Sequence, residues 1–303
     1  MKVIFSIPPY QNHQKREPIM ATKCARINVV SCSFTIITIF AIWLIGSAAI
    51  AAENVSFKGT TKIATGDFVT LTGKLTKPKG DGPFPAVVLM HGCEGIHKTL
   101  DHWADRLAGW GYVALEVDSF GPRGYSDICE NTFQVSPIVR AQDAYDAKSY
   151  LSGLPFVDCN RIGLIGWSHG GSTALAVVSG SNYSAIAAVV KTNSEPPKGW
   201  VPFRAAVAFC PNCRGQLDDT NAPLLLLAAE LDTWNPAALC RSKMPSGKTA
   251  NEVMLKIYPG VYHGFDYEGY DMVMLKRHRL RYDPAAATDS MAQVKEFFAK
   301  QLK

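Results

Sequence analysis

Gly166-Trp167-Ser168-His169-Gly170 constrains this chain more than any other stretch. It fits G-x-S-x-G, a pattern in which a serine sits on a sharp turn between a strand and a helix. Arg161-Ile162-Gly163-Leu164-Ile165 ahead of it reads as a short buried strand. Gly171-Ser172-Thr173-Ala174-Leu175-Ala176-Val177-Val178 behind it reads as a small-residue helix. A turn this tight lets the helix start close against the sheet, and glycine tolerates the crowding and the unusual backbone angles. The plainer alternative is a glycine-rich turn with an incidental serine. Partners for that serine further along the chain argue against it.

Apolar runs of strand length alternate with helical stretches. Strands are expected at Pro85–Met90, Tyr112–Val117, Ile162–Trp167, Ala205–Phe209, Leu224–Ala229 and Val253–Tyr258. Helices are expected over Trp103–Trp110, Val139–Leu151 and Thr288–Leu302, the last with Met291, Val294, Phe298 and Leu302 on one face. Residues 55–76 read as an antiparallel entry ribbon. Continuous apolar strands between helices imply an α/β fold, a mainly parallel sheet covered on both faces. Active groups in such sheets gather beyond the carboxyl ends of the strands, so the loops after strands are where chemistry is expected.

Those loops carry a second and a third polar group. Asp232 follows Leu224-Leu225-Leu226-Leu227-Ala228-Ala229, and His263 follows Lys256-Ile257-Tyr258-Pro259. A serine hydroxyl is a poor nucleophile at neutral pH; it needs a base, and the base needs an orienting carboxylate. Ser168, Asp232 and His263, each after its own strand and in that order, are therefore the expected catalytic triad. The alternatives are Asp232 as a cap for a helix over Trp234–Leu239 and His263 as an ordinary loop histidine. The developing negative charge on a carbonyl oxygen must meet preorganised N–H donors. The backbone of His169 supplies one, and that of Cys93, in His91-Gly92-Cys93-Glu94-Gly95, the other. The thiol of Cys93 is expected to be incidental.

The N-terminal end is different in kind. Residues 1–52 hold a basic start (Lys23, Arg26), an apolar centre at Phe34–Ile45 and a small-residue end at Gly46–Ala52. This is the layout of a secretory signal peptide, with residues 53–303 as the mature domain and cleavage after Ala51 or Ala52. An uncleaved membrane anchor is the alternative, although the apolar centre is short for a span. The leader holds five of the 31 Lys and Arg and one of the 26 Asp and Glu, so the mature part carries only +1. No basic tract tracks a phosphate backbone, which argues against nucleic-acid binding. Six cysteines remain after processing (Cys93, Cys129, Cys159, Cys210, Cys213 and Cys240), an even number that suits disulfides in an exported, periplasmic or secreted protein. Cys210-Pro211-Asn212-Cys213 lacks the partners of a zinc site and the placement of a redox motif, so structural pairing is expected of it. His91, His97 and His102 are not at metal-ligand spacing, and no metal or cofactor is expected. His278 lies among Lys276, Arg277 and Arg279 and reads as part of a solvated face.

The chain resembles the dienelactone hydrolase family of α/β-hydrolases. The residues that carry this are His91-Gly92-Cys93-Glu94-Gly95, Asp118-Ser119-Phe120-Gly121-Pro122-Arg123-Gly124, Asp158–Ile162 leading into Gly166–Gly171, Asp232-Thr233-Trp234-Asn235-Pro236 and Tyr262-His263-Gly264-Phe265. The match runs from about Phe84 to the C-terminus. The resemblance implies the α/β-hydrolase fold, the Ser168, Asp232, His263 triad and hydrolysis of an ester or lactone. The family's namesakes use a cysteine nucleophile and this chain has Ser168, so it looks like an exported, serine-bearing branch. That branch also implies a bridge between Cys213 and Cys240 beside the acid loop. Candidate substrate contacts are Glu94, Arg123, Trp167 and Trp234. Arg123 has the guanidinium geometry to meet a carboxylate, with a structural ion pair as the alternative. Pocket walls are expected from Phe120–Phe133 and Tyr183–Phe203.

The reading is thus a serine hydrolase of a small carboxylic ester or lactone, working through an acyl-enzyme. The alternatives are a peptidase or an esterase of polyesters or acetylated polysaccharides on the same fold, and, in a different class, a membrane-anchored binding protein with a vestigial site.

Overall fold

A computed structural model describes residues 51–182, 201–215 and 217–303. The expected leader lies outside them apart from Ala51 and Ala52, as does most of the Tyr183–Phe203 wall. Among the described residues no helix is long and apolar enough to cross a membrane.

An eight-stranded sheet forms the centre. Its strands are β1 (Ala51–Lys62), β2 (Phe68–Lys77), β3 (Phe84–Met90), β4 (Val113–Asp118), β5 (Val157–Trp167), β6 (Ala206–Phe209), β7 (Leu224–Ala229) and β8 (Val253–Tyr258). Their spatial order is β1-β2-β4-β3-β5-β6-β7-β8. β1 and β2 pair antiparallel, as does β2 with β4. From β4 to β8 every pairing is parallel. This is the α/β-hydrolase architecture expected, with the antiparallel ribbon at one edge.

Helices cover both faces: α1 (Lys98–Gly109), α2 (Pro137–Ser152), α3 (His169–Val178), α4 (Ala237–Lys243) and α5 (Pro284–Gln301). The residues of β3 show why the run is continuously apolar. Ala86, Val88 and Met90 face a core built with Ala141, Tyr145 and Val177 of α2 and α3. Val87 and Leu89 face the opposite core, with Trp103, Leu107 and Phe298 of α1 and α5. A strand buried on both sides has no polar face to alternate with.

α1, α2 and α5 begin earlier than expected, each behind a side-chain cap. α2 starts at Pro137, with the Ser136 hydroxyl accepting from the Val139 N–H. α5 starts at Pro284 rather than Thr288, with the Asp283 carboxylate accepting from the Ala286 N–H at 2.9 Å. Both show proline at the first helical position behind a side-chain cap. α1 starts at Lys98, five residues ahead of Trp103, capped by the imidazole of His97. A small hairpin not foreseen from the sequence, β9 (Asp271–Met274) and β10 (His278–Arg281), lies outside the main sheet.

One core position breaks the apolar pattern. Glu116 of β4 is 1% exposed, and among the described residues neither of its carboxylate oxygens has a hydrogen-bond partner. Burial pushes this carboxyl up to about 7; Asp101 and Asp105 add to the shift and Lys74 opposes it. A carboxyl whose folded pKa is raised leaves the fold most stable below the unfolded pKa and costs stability as pH rises through the folded value. Glu116→Gln is therefore expected to raise Tm at about pH 8 and to change it little at about pH 5. Equal shifts at the two pH values in calorimetry would contradict this.

Candidate active site

The parallel strands all deliver their carboxyl ends to one rim. His91 follows directly on β3, Ser168 on β5 and Cys210 on β6, while Asp232 and His263 lie a few residues beyond the ends of β7 and β8.

Ser168 stands between β5 and α3 with φ 52° and ψ −110°. That backbone is strained for any residue with a Cβ. Its N–H donates to the Phe209 carbonyl at 2.8 Å, and its carbonyl accepts from the Ser172 N–H at 2.9 Å. The glycines of the pentapeptide are required by close approach. A Cβ on Gly166 would run into the Gly170 carbonyl, and one on Gly170 into the Met90 carbonyl. The turn is folded upon itself and pressed against the end of β3.

His263 Nδ1 and Asp232 Oδ2 are 2.6 Å apart, with both side chains almost fully buried. The other oxygen of Asp232 accepts from the N–H groups of Trp234 and Asn235, each at 2.8 Å. Asp232 does not cap the helix expected after it, which starts at Ala237 behind Pro236 without a side-chain cap; its Oδ1 ties off the turn over Trp234 and Asn235, and its Oδ2 holds the imidazole. His263 is supported from below, where Arg281 N–H donates to the His263 carbonyl at 3.1 Å. Burial alone would pull the His263 imidazole down. The charge and hydrogen bond of Asp232 more than offset this, so its pKa stands above the usual 6.5.

Ser168, Cys93, His169 and Trp234 line one cavity of about 500 Å³, a size suited to a small organic molecule. Its wall also includes Phe133, Ile138 and Leu175. The His169 N–H is at the first position of α3, where no intrahelical acceptor exists. The Trp234 ring lies 5.6 Å from the ring of His263 and stacks on His278 at 4.8 Å. His278 is thus buried rather than on a solvated face; its Nδ1 lies 3.1 Å from the Thr233 hydroxyl.

Of the other expected substrate contacts, Glu94 lies within electrostatic reach of His263. Its half-buried carboxyl is pushed up by burial and by Asp127, and opposed by the charge of His263. Arg123 and Trp167 are corrected. Arg123 makes a bidentate ion pair with Asp143 at 2.8 and 2.9 Å and donates to the Ser119 carbonyl at 2.7 Å. Its donors are spent on ordering the loop after β4. Trp167 is 1% exposed, stacks on Phe209, and donates from Nε1 to Asp266 at 2.7 Å. Asp266 also accepts from Trp103 Nε1 at 3.0 Å, and burial lifts its carboxyl to about 6. It ties the His263 loop to β5, the strand that leads into the Ser168 turn.

The cysteines are arranged differently from expectation in two respects. Cys213 is bridged to Cys240, as the resemblance implied, but its C-x-x-C neighbour Cys210 is a free, buried thiol. The Cys93 sulfur is not incidental: it is bridged to Cys129, which pins the loop after β3. Cys210, Asp232 and His263 place one ligand atom each within 4.8 Å of one another. Burial first, then the charges of Asp232 and Asp266, push the Cys210 thiol well above its usual range. The 2.6 Å contact already commits His263 Nδ1 to Asp232.

A model of the dienelactone hydrolase family matches residues 71–302. The chain belongs to that family. This dienelactone hydrolase family member is a carboxylic-ester hydrolase. A putative carboxymethylenebutenolidase of Synechocystis sp. is 24% identical over 271 residues, covering 82% of this chain and all of that protein. Among solved structures, a putative dienelactone hydrolase from Klebsiella pneumoniae superposes with a TM-score of 0.59 at 20% identity, over 82% of this chain and 99% of that one. A Pyrobaculum calidifontis esterase gives 0.54 at 19% identity, over 84% and 86%. At such identities the structural likeness speaks for the fold alone.

Proposed function

We propose that this family member is a serine hydrolase that cleaves a small carboxylic ester or lactone through a Ser168, His263, Asp232 triad and an acyl-enzyme. The observation that carries the reading is the buried 2.6 Å contact between His263 Nδ1 and Asp232 Oδ2, on the rim where Ser168 is held at positive φ. With Nδ1 engaged by Asp232, Nε2 is the nitrogen left to serve the serine.

The Ser168 oxygen attacks the carbonyl carbon while His263 Nε2 takes its proton. The carbonyl oxygen becomes negative and is met by the N–H groups of Cys93 and His169. On collapse the C–O bond to the leaving group breaks, and that oxygen takes the proton from His263. In a lactone the new hydroxyl stays tethered to the acyl chain. Water then attacks the acyl-enzyme, giving its proton to His263; the bond to the Ser168 oxygen breaks, that oxygen takes the proton back from His263, and the acid product leaves.

The cavity volume supports a small substrate over a polymer or folded peptide. The disulfides Cys93–Cys129 and Cys213–Cys240 support export, with residues 1–52 as the leader. A panel of esters and lactones varied in acyl length and leaving group, run on wild type and Ser168→Ala, tests the function. Hydrolysis that survives in Ser168→Ala would overturn it.

The raised His263 pKa sets a pH prediction. The imidazole must be neutral to accept the serine proton. So kcat/KM is expected to rise with pH through a single midpoint above 6.5. A profile already flat below that value would contradict it.

A further inference from the structure

α2 carries an arginine in an expensive place. Arg140 is 0% exposed and lies in the first turns of the helix, where the backbone dipole disfavours a cation. No carboxylate lies within ion-pair distance of it among the described residues. Asp143 is occupied by Arg123, and Asp118 accepts from the N–H groups of Phe120 and Gly121. Burial lowers the guanidinium to about 9. A buried charge without a counter-ion is retained only where its hydrogen bonds matter.

Those bonds reach both arms of the proposed oxyanion hole. Nη2 donates to the His91 carbonyl at 2.8 Å, and Nη1 donates to His169 Nδ1 at 2.8 Å. The guanidinium lies 4.9 Å from the centre of the Phe120 ring, and the His91 ring packs on the same phenyl at 4.4 Å. On the first arm, His91 Nε2 accepts from the Ser119 N–H, so Nδ1 carries the proton and donates to the Gly92 carbonyl at 2.8 Å. That carbonyl and the Cys93 N–H belong to one planar peptide and point in opposite directions. Fixing one aims the other. On the second arm, an acceptor role for Nδ1 leaves the proton on Nε2, which donates to the Thr132 carbonyl at 3.1 Å. The first residue of α3 is thereby held at side chain as well as backbone.

We propose that Arg140 is the positioning residue of the oxyanion hole, one buried guanidinium that sets the Cys93 and His169 donors in register with each other. The proposal rests on the serine-hydrolase reading above. Arg140 touches no substrate and acts through His91 and His169.

The test compares Arg140→Met and Arg140→Lys with wild type on the best ester, alongside a trifluoromethyl ketone that forms a tetrahedral adduct on Ser168. Arg140→Met is expected to lower kcat by about 10²-fold, the scale of one lost oxyanion donor, with KM within about threefold. The ketone Ki should rise in parallel with the loss in kcat/KM, since both report the oxyanion. Arg140→Lys, which keeps the charge but only one of the two bonds, should fall between. A folded Arg140→Met with kcat within about threefold of wild type overturns the proposal. So does a lost kcat with an unchanged ketone Ki. Should Arg140→Met not fold, Arg140→Lys and His169→Phe, which keeps the backbone N–H and removes the Nδ1 acceptor, decide by the same two readouts. Ser168→Ala separates the two levels. If it stays active, the serine reading fails; if it is inactive while the Arg140 variants keep kcat, only this inference fails.

Discussion

Ser168→Ala is expected to lower kcat by about 10⁴–10⁶-fold, with folding and cavity intact. In the proposed mechanism the hydroxyl forms the covalent bond. The Cys210 thiol, also on the rim, is buried, and its pKa is pushed well up by burial. Some acceleration over water should survive, because the Cys93 and His169 N–H groups still meet the developing oxyanion. Steady-state kinetics on the best ester of the panel measures this. A Ser168→Ala enzyme that keeps a tenth of wild-type kcat would move the chemistry elsewhere.

Asp232→Asn is expected to cost about 10⁴-fold in kcat with little change in stability. The amide oxygen can go on accepting from the Trp234 and Asn235 N–H groups, so the turn survives. The amide nitrogen would then face His263 Nδ1 as a donor. That makes Nδ1 the acceptor and puts the ring proton on Nε2, the nitrogen that must take the serine proton. Loss of the Asp232 charge also removes the main force raising the His263 pKa, so the acid limb of the pH profile should move down. A full-rate Asp232→Asn would show that the carboxylate is a structural cap only.

Much of this arrangement is legible because strand order follows chain order from β5 to β8, with only β3 and β4 exchanged before them. Each apolar run ends at a loop, and the loops after Met90, Trp167, Ala229 and Tyr258 carry the polar groups. Sequence could not say which way a side chain of a doubly buried strand points. Trp167 is flanked by core on both faces, and its partner Asp266 is 99 residues away. Arg123 looked available because its counter-ion Asp143 sits on a different element, 20 residues on. His278 looked solvated because its neighbours in sequence are charged; Trp234, far along the chain, buries it. Six cysteines allow many pairings, so the Cys93–Cys129 bridge had no signature of its own. Two further signals lie in the sequence itself. Asp283-Pro284 marks the start of α5, and an arginine beside Ala141 and Ala144 on the buried side of α2 marks Arg140 as out of place.

The most direct measurement is the crystal structure of the protein inhibited with a fluorophosphonate. The account predicts phosphorus on the Ser168 oxygen, the phosphoryl oxygen accepting from the N–H groups of Cys93 and His169, and His263 Nε2 beside the Ser168 oxygen with Asp232 behind the ring. Phosphorus on any other residue, or an imidazole of His263 out of hydrogen-bond reach of that oxygen, would contradict it.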